Sequence, residues 1–336
     1  MERKFGNRVQ DNGKQNTNHF EPLQEGCRGQ RALRKISSSS HPARRIRYLK
    51  EKFIEFILFV SAASSVVITL GIVFILASES IPFFDHVRLY DFFTDHEWTP
   101  LFEDAHFGIR PLLTGTILTT TIALFVAIPL GTIAAAYLSE FVSQRVREIL
   151  KPILELLAAV PTVVYGYFAL LFISPLLQKI FPDISGFNAL SAGIVMGLMI
   201  IPYVSSLSED AMRAVSAQLR EGSFALGATR LQTTFRVVIP AASSGIISAY
   251  ILAISRAVGE TMVVSIAAGQ QPSTSFNPLE ATETMTAYIV QVSLGDVPRG
   301  SVGYQSIYVV GLTLLILTFV FNLIGMYLRR RFQEHQ

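Results

Sequence analysis

Charge is what this chain has least of. Only 16% of its 336 residues are charged, against about 25% in an ordinary soluble domain. Half are hydrophobic and the mean hydropathy is +0.42. The deficit excludes the two-domain soluble protein that the length would otherwise suit and points to a polytopic membrane protein. Cysteine is all but missing: Cys27 stands alone and excludes an internal disulfide. No G-x-x-x-x-G-K-[ST] string occurs, so the chain carries no phosphate-loop ATPase site of its own. No apolar run precedes Ile54, and a cleavable signal peptide is not expected. No internal repeat is evident, as an inverted-repeat secondary transporter would show.

What charge there is lies unevenly. Residues 1–52 hold thirteen Lys or Arg and a serine run, Ser37 to Ser40, with little apolar periodicity. This composition predicts a disordered cytoplasmic tail drawn to anionic lipid headgroups. No aromatic or motif pattern accompanies the basic residues, so nucleic acid is not an expected partner. Beyond the tail, apolar runs predict six helical spans at about 54–77, 111–138, 153–176, 189–204, 241–268 and 307–328, each near the ~20 residues a bilayer requires. With the N-terminus inside, only Arg88, Arg110, Lys179 and Arg299 fall in outside loops, and Arg329, Arg330 and Arg331 stay inside. That asymmetry places both termini in the cytoplasm.

The loop 78–110 is acidic and aromatic, with Phe83, Phe84, Tyr90, Phe92, Phe93, Trp98, Phe102 and Phe107. It predicts a short interfacial helix whose rings lie at headgroup level or meet an external partner. Within the spans, Pro129, Pro161, Gly166, Pro202, Gly245 and Gly259 recur; membrane helices accept such residues where neighbours satisfy the freed carbonyls. Gly193 and Gly197 are spaced for close helix approach.

Two constellations carry chemistry. Arg256 and Glu260 sit four residues apart in an apolar span, on one face of a continuous helix. Each is costly in a membrane unless paired or hydrated. Either they form an ion pair that fixes packing, or they line a polar conduit. In the second case Arg256 offers an anion its planar fork of donors, and Glu260 holds Arg256 or accepts a proton from a protonated oxyanion. The other constellation is EGSFALGATRLQTTFRVVIP, residues 221–240. Here Leu219, Phe224, Leu226, Leu231 and Phe235 recur at roughly helical intervals around Gly227. They predict a short helix, a turn and a second helix parallel to the membrane, with Pro240 opening the next span.

That segment resembles the loop signature of ABC importer permeases: Glu, two alanines, three residues, Gly, nine residues, then Ile-x-Leu-Pro. Gly222 and Ser223 stand for the alanines, Val237 for the isoleucine and Ile239 for the leucine. Three further strings, FGIRPLLTGT (107–116), ELLAAVPTVVYGYFAL (155–170) and RAVGETM (256–262), resemble phosphate importer permeases of the PstC type. Ser216 departs from the proline that precedes the segment in relatives and blurs the helix boundary there.

The resemblance, over about 53–332, implies an all-α membrane protein, a six-transmembrane-helix ABC type I importer permease bundle. It implies phosphate as cargo, with a molybdate or sulfate permease, or an ATP-independent transporter or channel, as the alternatives. It implies no enzymatic activity and no cofactor or metal. The partners it implies are a second homologous permease, two ATP-binding cassette subunits, an extracytoplasmic phosphate-binding protein and membrane lipid. Arg220, Glu221, Gly222, Ser223, Leu226, Gly227 and Ala228 would seat in the ATPase, with Arg220 either touching it or solvated. Arg256 and Glu260 would serve translocation. Glu155 would snorkel or cap, and Tyr165 with Gly166 would line the passage or pack.

Overall fold

The computed structural model describes residues 42–102 and 104–333. The chain divides into two compact units, residues 1–68 and 69–336. The tail reading over 1–41 lies outside the described residues. What is described of the first unit is the leading part of helix α1, Pro42–His86. Residues 42–52, read from the sequence as part of the tail, are already helical, and the three Arg and two Lys among them are good helix formers. From Glu51 to Ile68 every side chain except Ala63 is exposed, as suits an apolar helix surrounded by lipid.

The second unit is helical, with no β-strand among the described residues and two isolated bridges, Trp98 to Phe107 and Gly269 to Thr282. After α1 come α2 (Leu89–Thr94), α3 (Arg110–Ala136), α4 (Gln144–Ala159), α5 (Thr162–Phe168), α6 (Ser174–Gln178) and α7 (Ala189–Arg213). Then follow α8 (Ala217–Ala225), α9 (Arg230–Thr233), α10 (Ile239–Ala241), α11 (Ser243–Val258), α12 (Met262–Ala267), α13 (Met285–Leu294) and α14 (Val302–Gln333). Short π-helical turns extend α3 over Tyr137–Phe141, join α5 to α6 over Ala169–Ile173 and precede α10 over Thr234–Val238. Among the described residues four helices are long and apolar enough to cross a membrane, or up to six if each of two bent pairs is one span.

Two expected spans are not straight. The third, placed at 153–176, is split: Gln144–Ala159 and Thr162–Gln178 meet at 84°. Pro161 provides the reason. It has no N–H to continue the helix, and the residue before it, Val160, is driven extended at φ −66°, ψ 131°, as a preproline residue is. Residues 153–159 thus belong to the amphipathic α4, which buries none of its residues within the chain. The fifth, placed at 241–268, bends by 73° at its entry and breaks again at Gly259. A short apolar helix, α13, follows it and does not appear among the expected elements.

At the centre α7 packs along α3, and 61% of its most apolar stretch is buried. Glycines set the distance. A Cβ on Gly193 would lie 2.6 Å from Ile122, one on Gly197 2.7 Å from Val126, and one on Gly131 2.7 Å from Val204. Water-driven burial is unavailable between helices in lipid, so close van der Waals approach of small residues holds the pair. Ala123, Ala127, Ala192, Ala253 and Ala257 extend the same small-residue core.

The aromatic loop folds upon itself. Phe83, Phe92 and Trp98 are almost wholly buried. They stack edge to face with Phe84, Phe107 and Tyr288 at centroid distances of 5.0–6.5 Å, a favoured aromatic geometry. Phe83, Phe92 and Trp98 therefore build a core, against the expectation that they lie at headgroups or on a partner. Tyr90, Phe93 and Phe102 remain exposed.

Candidate functional site

The first constellation is reorganised by the helix break. α11 ends at Val258, and Gly259 and Glu260 are outside it. Arg256 and Glu260 therefore do not share a face of one continuous helix, and no salt bridge joins them. This corrects the ion-pair expectation: four-residue spacing brings side chains together only while the helix persists. Glu260 is 6% exposed. Its Oε1 accepts the backbone N–H groups of Met262 and Val263 at 3.2 and 3.4 Å, two of the orphan donors at the start of α12. Its carbonyl accepts the Thr286 hydroxyl at 2.6 Å, which ties the break to α13.

Among the described residues Arg256 has no counter-ion. Its guanidinium lies over the Tyr203 ring, 4.9 Å from the centroid, a cation–π arrangement. The buried Nε has no hydrogen-bond partner. A fixed cation with unused donors, braced on an aromatic face inside an apolar span, is suited to meeting an anion. Tyr203 was missed in the sequence, where nothing distinguishes it from other span aromatics. Tyr165 and Gly166 turn out to brace the bend at Pro161. The Tyr165 hydroxyl donates to the Leu157 carbonyl at 2.7 Å, and a Cβ on Gly166 would meet Ile266 at 2.9 Å. Glu155 does not cap; it accepts the Ser206 hydroxyl at 3.3 Å.

The second constellation is a helical hairpin, α8–α9. Gly227 closes α8 at φ +82°, where a side chain would be strained. Thr229 and Gln232 then form a reciprocal capping box, with bonds of 2.9 and 3.3 Å, which starts α9 one residue later. Ser223 is half-buried and bonds Thr233 across the hairpin at 2.9 Å. Glu221 and Gly222 are exposed, Ala228 is half-buried, and nothing lies within 4 Å of a Cβ on Gly222. Leu226 is 91% exposed, and Leu219, Phe224, Leu231 and Phe235 are exposed around it. So much open apolar surface on a short hairpin marks an interaction site.

Arg220 is not a freely solvated charge. It turns inward, with Nη2 3.0 Å from Glu140 Oε1 and 2.7 Å from the Met212 carbonyl. It thus fastens α8 to the end of the α3 extension. Glu140 was overlooked; a lone acid after an apolar run carries no signal of its partner. Beside this tie, Lys151 of α4 bridges Glu209 at 2.7 Å and Asp210 at 2.6 Å. Glu209, fully buried, also has Arg147 and Arg213 within 3.8 Å. Among the described residues no cluster of three or more His, Cys, Asp or Glu is arranged to hold a metal ion.

Comparison with known proteins agrees with this anatomy. Residues 127–334 match the family model described as binding-protein-dependent transport system inner membrane component. A probable ABC transporter permease protein of Bacillus subtilis, YqgH, is 34% identical over 72% of this chain and 78% of its own length. The phosphate transport system permease protein PstC of Mesorhizobium japonicum is 31% identical over 72% and 79%. Among solved structures, a bacterial alginate ABC transporter in complex with an alginate pentasaccharide-bound periplasmic protein has a chain that aligns with TM-score 0.60 and 17% identity, over 85% of this chain and 96% of that one. The fold is accordingly that of type I ABC importer permeases. By its span architecture, its exposed hairpin and these matches, the chain belongs to the binding-protein-dependent inner membrane permeases, multi-pass components of ABC import systems.

Proposed function

We propose that the chain is the permease subunit of an ATP-driven importer that moves inorganic phosphate across the cytoplasmic membrane. The observation that carries this reading is Arg256: a cation with no counter-ion among the described residues, held over Tyr203 beside a break in a membrane helix. Relatives named for phosphate transport supply the cargo. In this reading Arg256 presents its fork of donors to a phosphate oxygen, and Glu260 positions the break by capping α12. One such helix bundle offers half of a pathway, so a second homologous permease completes it. Both termini and the α8–α9 hairpin face the cytoplasm, by the distribution of Lys and Arg. There Leu226 and its apolar neighbours, with Glu221, Gly222, Ser223, Gly227 and Ala228, seat in one of two separate ATP-binding subunits. Arg220 transmits the motion to α3 through Glu140. An extracytoplasmic phosphate-binding protein delivers cargo from the other side. Closure of the motor pair then swings the bundle between inward and outward access.

The test is labelled-phosphate uptake into vesicles holding the assembled transporter, with ATP and binding protein supplied or withheld. Uptake should require both, and Arg256→Met should lower it by at least about tenfold, the least that losing a charge-assisted contact implies, with assembly intact. Flux without ATP, or sulfate uptake without phosphate uptake, would overturn the assignment.

A further inference from the structure

A cavity of about 350 Å³ opens between the loop after α1 and the turn after α12, lined by Trp98, Gln270, Gln271, Glu283, Tyr288 and Gln291. Glu283 is its unexplained member. The residue is 1% exposed, and among the described residues no hydrogen bond or salt bridge engages its carboxyl and the buried Oε1 has no partner. Burial pushes its pKa up to about 8. A carboxyl enclosed in this way is costly unless something arrives to pair with it. Three glutamine side chains line the same cavity and none bonds it. The turn that brings Gln270 and Gln271 there is itself constrained, with Gly269 at φ +111° and Gln270 at φ +49°.

We propose that this cavity receives a lysine or arginine side chain of the extracytoplasmic binding protein, with Glu283 as its counter-ion. The inference rests on the import reading above, which places both loops outside. Charge favours a cation over free phosphate. Glu97 stands at the rim, and the loop 78–110 carries Glu79, Asp85, Asp91, Asp95, Glu97, Glu103 and Asp104 against Arg88 and Arg110. Trp98 and Tyr288, themselves almost wholly buried, make part of the wall apolar, which suits the stem of a long cationic side chain. Loops and the short α13 line the cavity, and no long span contributes a wall. A second permease packing on the spans would not cover it, whereas a protein docking from outside would.

The experiment compares wild-type, Glu283→Gln and Glu283→Lys assemblies, complete with their partner subunits, in lipid nanodiscs. Affinity for the binding protein should fall at least about tenfold in Glu283→Gln, as when one member of a buried ion pair is neutralised, and further in Glu283→Lys. An undiminished melting temperature in Glu283→Gln separates this from misfolding. Equal affinity in all three, or carbodiimide coupling of Glu283 to a lysine of the second permease, would overturn the proposal. Phosphate uptake by the wild-type assembly is scored separately. A transporter that binds its partner through Glu283 yet moves no phosphate sinks the cargo assignment and leaves this contact standing.

Discussion

Gly222 and Gly227 stand five positions apart in the same hairpin and answer to different constraints. Gly227 adopts φ +82°, so Gly227→Ala should destabilise the hairpin by about 1 kcal/mol and reduce motor coupling. Gly222 lies in α8 with open space around it. Gly222→Ala should therefore stabilise the isolated chain by about 1 kcal/mol through helix propensity, and thermal melts in detergent distinguish the two. Glu283 predicts a pH signature. Its native pKa is raised from 4.5 to about 8, so the native carboxyl keeps a proton that the unfolded chain releases. Stability is then unaffected below about pH 4.5, declines as pH rises toward about 8, and levels off above that. Glu283→Gln should lack this decline, and melting temperatures across that range read the difference.

At the scale of elements, ion pairs fasten separate helices to one another. The Glu140 side chain is 9% exposed and that of Arg220 is 19% exposed. Arg220→Ala would strand a largely buried carboxylate, costing about 2 kcal/mol for a pair that is only partly desolvated. Adding Glu140→Ala should recover part of that loss. The double variant should assemble and still show weak stimulation of ATP hydrolysis by the binding protein, because the tie between α8 and the α3 extension is gone. The bond of Lys151 to Glu209 and Asp210 links α4 to the end of α7 in the same manner.

The whole molecule makes one prediction of its own. If Lys and Arg set the topology, single cysteines placed at Leu226 and Leu101 in a Cys27→Ser background should label from opposite sides with a membrane-impermeant maleimide. Leu226 should react only from the cytoplasmic side. Both residues are exposed in the chain, so burial within it does not block the reagent. Labelling of both from one side would reverse or break the proposed orientation.

Apolar runs, a charge deficit and the string 221–240 determined by themselves that this is a helical membrane permease with an exposed hairpin. Those signals are local: hydropathy and the conformational demand at Gly227 act within a few residues. In the sequence Pro161 reads as a residue that an unbroken span accommodates, and only the structure shows the chain bending by 84° there. Other contacts join residues far apart in the chain: Arg220 to Glu140, Thr286 to Glu260, Arg256 to Tyr203. Sequence spacing paired Arg256 with Glu260, and the interrupted helix separated them. The unpaired burial of Glu283 was equally invisible, since burial exists only once helices and loops have closed around a side chain.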